Sequence, residues 1–246
     1  MGVDLGTTTT VLAVLDHHGE PIIGEYQFAQ VVRDGLVVDF VGAVDLVRDM
    51  KNRVEKRLGQ RLTHAATGYP PGVPNAEVKA TAHVVEAAGF TCRSVIDEPS
   101  AANKVLNLQE GVIVDVGGGT TGIAIVENGQ VVHTADEATG GTHFSLVIAG
   151  ALDISFEEAE VLKIDPTEQT RLFPIVRPVM EKVGTIIAKN ISGYDVQQIT
   201  LVGGTTLFPG IAEVIEEVIG RPTQVVHNPL FVTPLGIAMH DQEEAF

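Results

Sequence analysis

Apolar residues along this chain fall into short blocks, and their spacing switches between the period of a strand and that of a helix. Residues 3–6, 9–15 and 21–28 are predicted as a three-stranded meander, with a turn at His17-His18-Gly19. Asp34-Gly35 is a further turn signal ahead of Leu36-Val37-Val38-Asp39. From Gly42 to Leu58 apolar residues recur at 43, 44, 47, 50, 54 and 58, while Arg48, Lys51, Arg53 and Lys56 fall mostly elsewhere. That is one apolar helix face, and Gly59 stops it. A short strand at 64–68, a proline-rich loop at 69–74, a helix at 76–88 capped by Asn75 and a strand at 91–96 follow. Asp97-Glu98-Pro99-Ser100 is predicted to break that strand, with a helix at 101–106 after it.

The second half repeats this order. A hairpin is predicted at 112–126 and a third strand at 131–136. Thr139-Gly140-Gly141-Thr142 reads as a loop, with a helix opening at His143. Ser155 and Glu158 have capping-box spacing for a helix to Leu162, and Asp165-Pro166 signals another start. Apolar positions 175, 176, 179, 183, 186, 187 and 191 mark a helix stripe with Pro178 in its first turn. A strand at 199–202, a Gly203-Gly204-Thr205-Thr206 loop and a helix ending at Gly220 complete the copy. Two such copies predict an α/β chain with parallel strands under helices, arranged as two lobes. The boundaries expected are 1–108 for the first lobe, with 231–246 packing back on it, and 109–230 for the second.

The chemistry gathers where the copies are most alike. Val114-Asp115-Val116-Gly117-Gly118-Gly119-Thr120-Thr121 parallels Val3-Asp4-Leu5-Gly6-Thr7-Thr8. Each apolar strand reaches an Asp and turns back through Gly and Thr. Three successive glycines are a costly turn unless something must approach the backbone closely. N–H groups in such a loop can converge on an anion. Two such loops facing one cleft would clamp a nucleotide's phosphates, and Mg²⁺ held through water would relieve the repulsion between Asp4 and Asp115. The plainer alternative is that each Asp only caps its own turn. Gly203, Gly204 and Thr205 suit a phosphate or a flat purine ring, or make an ordinary strand–helix loop. Glu98 either orients an attacking water or is an exposed turn acid.

Bulk properties narrow the function. The 246 residues suffice for one large domain or two ordinary ones. No apolar run approaches the roughly 20 residues that span a bilayer. A formal charge of −16 argues against a nucleic-acid partner. Cys92 is the only cysteine, so no internal disulfide can form, which suits a reducing cytosol. It reads as a small buried apolar residue. Only Met1, Gly2 and Val3 precede Asp4, so the first strand is expected either to be unusually short or to lack a natural N-terminal part, the latter preferred. The segment from Asp241 to Glu244 is expected to be a solvated tail.

Four motifs occur in the order of a known superfamily. Asp4-Leu5-Gly6-Thr7-Thr8 resembles its phosphate 1 motif, and Asp97-Glu98-Pro99-Ser100-Ala101-Ala102 its connect 1. Asp115-Val116-Gly117-Gly118-Gly119-Thr120 resembles phosphate 2, and Leu201-Val202-Gly203-Gly204-Thr205-Thr206-Leu207-Phe208-Pro209-Gly210 the adenosine motif. The set is similar to the superfamily of actin, heat-shock chaperone ATPases and sugar kinases. Gly236-Ile237-Ala238, after Asn228-Pro229, looks like a degenerate connect 2, and Gly140-Gly141-Thr142-His143-Phe144 resembles the chaperone pattern. The overall likeness is to a small chaperone-like branch, the EutJ family of ethanolamine utilisation.

The resemblance implies a duplicated ribonuclease H-like fold with ATP or ADP and Mg²⁺ in the cleft. It would assign Gly6, Thr7, Thr8, Gly117, Gly118, Gly119 and Thr120 to phosphates, and Gly203, Gly204 and Thr205 to adenosine. Asp4 and Asp115 would organise the Mg²⁺ shell, and with Glu98 beside the water they would form the catalytic set. It further implies a cytoplasmic protein with a protein client, such as the ammonia-lyase or the microcompartment that houses it. A filament or scaffold ATPase like the bacterial actins and pilus-assembly proteins is the alternative, and a small-molecule kinase ranks lowest. The chain departs from the pattern in its small peripheral subdomains, with Asp153 to Arg177 as a minimal replacement, and in having no counterpart of the chaperones' catalytic lysine. Both slow hydrolysis and binding without efficient hydrolysis remain open.

Overall fold

In each half a strand with apolar residues on both faces forms the centre of a sheet. A strand covered on both sides needs no polar face, hence the unbroken Val112-Ile113-Val114 run, all of it buried. The structure is a computed structural model that describes residues 1–33 and 35–241. Two compact units emerge, Met1–Asn107 with the chain from Leu230 on, and Leu108–Pro229.

The first unit opens with the meander β1 (Gly2–Leu5), β2 (Thr9–Leu15) and β3 (Pro21–Phe28). The small hairpin β4 (Val32–Arg33) and β5 (Leu36–Val37) leads to α1 (Phe40–Leu58). Then come β6 (His64–Tyr69), α2 (Asn75–Ala87), β7 (Thr91–Asp97) and α3 (Glu98–Leu106). The sheet order is β3-β2-β1-β6-β7, antiparallel through the meander and parallel from β1 to β7. Val3, Leu12, Ala43, Val47, Met50, Val54, Val84 and Val85 are buried in its core.

The second unit has the same plan. Its elements are β8 (Gly111–Val116), β9 (Thr121–Glu127), β10 (Gln130–Glu137), α4 (Gly141–Leu152), α5 (Phe156–Ile164), α6 (Gln169–Asn190), β11 (Ile199–Val202), α7 (Ile211–Ile219) and β12 (Thr223–Val225). The order β10-β9-β8-β11-β12 repeats the first sheet strand for strand. The last helix, α8 (Val232–Met239), belongs to the first unit.

Several local readings need correction. Asp97-Glu98-Pro99-Ser100 ends β7 as expected, but it also starts α3, which begins at Glu98 and not at Ala101. The Asp97 carboxylate accepts a hydrogen bond from the Ser100 N–H at 2.9 Å, and Pro99 sits in the first turn. Proline loses nothing there, because the first N–H groups of a helix have no internal partner. The cap of α2 is Pro74, and Asn75 is already helical. Asp165 starts no helix. Its carboxylate accepts from the Thr167 N–H and hydroxyl, and α6 begins at Gln169.

Pro178 is therefore well inside α6, as is Pro174. The helix survives because Leu172, Val176, Val179, Met180, Val183 and Ile187 are buried. Each such burial is worth about 1.5–3 kcal/mol, against about 3 kcal/mol lost at an internal proline. Asp241, expected in a solvated tail, has a nearly buried carboxylate 4.0 Å from Arg93. Asp34 of the predicted turn and residues 242–244 of the predicted tail lie outside the described residues.

α8 and β12 were not predicted. β12 has only three residues, and α8 buries Val232, Thr233, Pro234, Gly236, Ile237 and Ala238, leaving little polar face to give a period. α8 lies so close to α3 that a Cβ on Gly236 would fall 1.8 Å from the Ala101 carbonyl oxygen. The glycine of the degenerate connect 2 motif thus permits helix–helix contact.

Cys92 is half-buried on β7 against the first unit's core. Burial, aided by Glu86 and Asp241, raises its thiol pKa to about 11. A raised acid pKa means that the folded state resists ionisation of this group. Its contribution to stability is complete below the unfolded value of 9.0 and is lost as pH rises toward about 11. Alkylation of folded protein by iodoacetamide is expected to stay slow at pH 8.5 and to climb until about pH 11. A rate plateau near pH 9 would contradict this placement.

Candidate functional site

In the second unit, three loops meet beyond the carboxyl ends of two neighbouring parallel strands. β8 and β11 run side by side, with Val202 in register with Asp115. Such strand ends are where ligands of open α/β sheets bind. The first loop is the glycine turn between β8 and β9, closed by a hydrogen bond from the Gly117 N–H to the Thr120 carbonyl at 3.0 Å. The second joins β10 to α4. Its Gly141 and Thr142 N–H groups donate to the carbonyls of Gly117 and Gly118 at 2.9 and 2.7 Å. The third follows β11, where the Thr205 hydroxyl donates to the same Gly117 carbonyl at 2.7 Å.

These approaches leave no room for side chains. A Cβ on Gly140 would lie 2.6 Å from the Gly117 oxygen, and one on Gly141 would lie 2.4 Å from the Thr205 hydroxyl. One on Gly203 would meet the Asp115 carboxylate at 2.2 Å. Gly203 also has a φ of 92°, which strongly favours glycine. Its N–H donates to the Pro229 carbonyl at 2.9 Å, so Asn228-Pro229 anchors the third loop. The rigid turn therefore keeps a half-exposed Asp115 at its start, and Thr121 is tied down through its hydroxyl to the Thr139 carbonyl at 2.6 Å.

Two charged residues of the same cluster were overlooked in the sequence. Lys163, on α5, donates to the Gly141 carbonyl at 3.1 Å and to Glu160 at 2.8 Å. Glu160 also accepts from the Ser145 hydroxyl, which ties α5 to the start of α4. Burial lowers the pKa of Lys163, and the Glu160 carboxylate opposes that shift. In sequence, a Glu and a Lys three residues apart on a helix read as an ordinary solvated pair. Only burial against the Gly140-Gly141 loop distinguishes them.

The first unit carries the shorter counterpart. Asp4 is half-exposed near the end of β1, opposite Val11 on β2. Gly6 makes the tight return, since a Cβ there would lie 2.7 Å from the Thr9 carbonyl. Thr7 and Thr8 occupy the turn between β1 and β2. Glu98 is in the first turn of α3, and its Cγ would lie 3.4 Å from a Cβ on Gly68 of β6. The structure thus gathers Asp115, Gly117, Gly118, Gly203 and Thr205 into one cluster in the second unit. Asp4, Gly6, Thr7, Thr8 and Glu98 belong to the first.

The chain is similar over its whole length to proteins of one family. The ethanolamine utilization protein EutJ of Escherichia coli (strain K12) is 44% identical, covering 100% of this chain and 87% of its own. The chain belongs to the EutJ family. The crystal structure of ethanolamine utilization protein EutJ from Carboxydothermus hydrogenoformans superposes with a TM-score of 0.93 at 47% identity, over 97% of this chain and 88% of that one. The family model of the cell division protein FtsA matches residues 112–236, and that of MreB/Mbl matches residues 21–165. MreB5 of Spiroplasma citri, solved bound to ADP, has a TM-score of 0.74 at 18% identity, over 98% of this chain and 95% of that one. The fold is that of the actin-like ATPases, and the expected α/β class holds. Among the described residues no helix is long and apolar enough to cross a membrane.

Gly203→Ala tests the close approach behind Asp115. It combines the strain of an extended backbone at positive φ (φ 92°, ψ 155°), about 1–3 kcal/mol, with overpacking of about 1–3 kcal/mol. Gly220→Ala has a φ of 69° but open space around the new Cβ, so it carries only left-handed backbone strain of about 1–2 kcal/mol. Urea denaturation is expected to show the larger loss for Gly203→Ala. Equal losses would mean that the space behind Asp115 is not constrained.

Proposed function

We propose that this chain binds ATP with Mg²⁺ and that its nucleotide state governs its hold on a protein client of ethanolamine utilisation. The observation that supports this best is the three-loop cluster around Gly117, where backbone approach keeps side chains out and leaves the half-exposed Asp115 carboxylate at the start of the turn. Preorganised N–H groups and fixed charges suit a transferring phosphoryl group, whose chemistry needs positioning and charge neutralisation.

In this reading Gly117, Gly118, Gly119 and Thr120 hold phosphates, together with Gly6, Thr7 and Thr8. Gly203, Gly204 and Thr205 line the adenosine. Asp4 and Asp115 would each hold Mg²⁺ through water, since this ion keeps several waters and is usually bound by one or two carboxylates plus phosphates. The ion would supply charge neutralisation at the phosphates. Glu98 is assigned to the attacking water, and Lys163 adds a cation beside the Gly141 loop. The client is taken to be the ammonia-lyase or a microcompartment protein, which would place the chain in the cytoplasm. The names of the relatives support the pathway. The MreB/Mbl match supports a second reading, a filament or scaffold ATPase, which ATP-dependent pelleting would reveal.

Calorimetric titration of ATP with Mg²⁺ into wild type and Asp115→Ala tests the proposal, with phosphate release followed on the same samples. Wild type is expected to bind, and the variant to bind at least about tenfold more weakly, the scale of one lost charge-assisted contact. Phosphate release separates turnover from binding alone. No ATP binding by wild type, or unchanged binding by Asp115→Ala, would overturn the reading.

A further inference from the structure

The sheet of the first unit ends in β3, whose two faces carry different chemistry. β3 pairs with β2, and among the described residues no strand pairs with its other side. An open edge of this kind is a template for an added strand. The register shift between Val14 and Leu15 leaves residues 23–28 as its regular stretch.

Alternate residues of a strand face opposite ways. Glu25 and Gln27 face α1. Arg53 bonds both, reaching Gln27 at 2.7 Å, and Arg57 lies 3.5 Å from Glu25. Lys56 is exposed three residues after Arg53, so all three cations share one helix face. Glu25 meets two guanidiniums, and with Asp49 one turn before Arg53 two acids face three cations, which leaves the strip net positive on a chain of formal charge −16. Gly24, Tyr26 and Phe28 face the other way. The Tyr26 and Phe28 rings meet edge to face at 6.0 Å, and Tyr26 meets Phe231 at 6.5 Å. Tyr26 is 50% exposed and Phe28 53%, an unusual exposure for neighbouring aromatics on one strand face.

We propose that this edge binds an extended segment of a partner protein in which acidic and apolar residues alternate. Paired to β3, such a segment would present its acids to Arg53, Lys56 and Arg57 and its apolar side chains to Tyr26 and Phe28. The charge pattern selects this occupant over a second copy of the chain. Antiparallel pairing of two β3 edges keeps like faces together, so each copy's cations would lie beside the other's.

The test uses fluorescein-labelled peptides of about ten residues, the length of a long strand. One alternates Glu and Val, a second alternates Lys and Val, and a third has the composition of the first in two blocks. Fluorescence anisotropy is expected to show binding of the alternating acidic peptide, with the others at least about tenfold weaker. The double variants Tyr26→Ser/Phe28→Ser and Arg53→Gln/Arg57→Gln are expected to lose about tenfold each while keeping the wild-type circular dichroism. Amide exchange at 23–28 should slow when the peptide is added. The proposal fails if no peptide binds, if the Lys peptide binds equally well, if both variants bind as wild type, or if protection appears elsewhere. It also fails if wild type is a dimer that Tyr26→Ser/Phe28→Ser dissociates, since a second copy would then occupy the edge.

Discussion

The Gly117 carbonyl is the point on which the second unit's loops depend. It accepts hydrogen bonds from the Gly141 N–H and the Thr205 hydroxyl, which brings three loops to one place. Such contacts require bare backbone, because a Cβ on Gly140 would crowd this oxygen and one on Gly203 would strike the Asp115 carboxylate. The glycines weaken the chain locally through the entropy they lose on folding. In return the turn is fixed before any ligand arrives, and preorganisation of this kind is what phosphate chemistry needs.

The duplicated plan explains where the loops lie. In each sheet the central strand pairs antiparallel with the meander and parallel with the next strand, so parallel strand ends lie side by side. The return from β1 is short, with Gly6 alone making the close approach to Thr9. The return from β8 carries three glycines and is braced by two other loops. The difference follows from the neighbours. The Gly140-Gly141 segment and Thr205 press on Gly117, and the half-buried Lys163 and Glu160 hold α5 against the first of them.

Much of this was legible in the sequence, for identifiable reasons. The meander and the β8–β9 hairpin follow from apolar runs bounded by turn residues, and α1 follows from its single apolar face ended by Gly59. The superfamily assignment rested on four motifs in order, and identity along the whole chain supports it. What escaped had weak local signals. α8 is buried almost all round, and β12 is too short for a period. α6 runs through two prolines because its buried stripe outweighs them, a tertiary effect that local rules do not see. Glu98 was expected in a turn but is helical, since Asp97 caps a helix in which Pro99 costs nothing. Lys163 and Glu160 look like any solvated pair until their burial is known.

Amide hydrogen exchange measured with and without ATP and Mg²⁺ tests the central claim most directly, because it reads the loop backbone itself. Slower exchange at 117–120 on adding nucleotide, with the rest of β8 and β9 unchanged, is the expected result. Exchange at 117–120 that nucleotide leaves unchanged would contradict the account, and the glycine cluster would then be a packing device without a phosphate to hold.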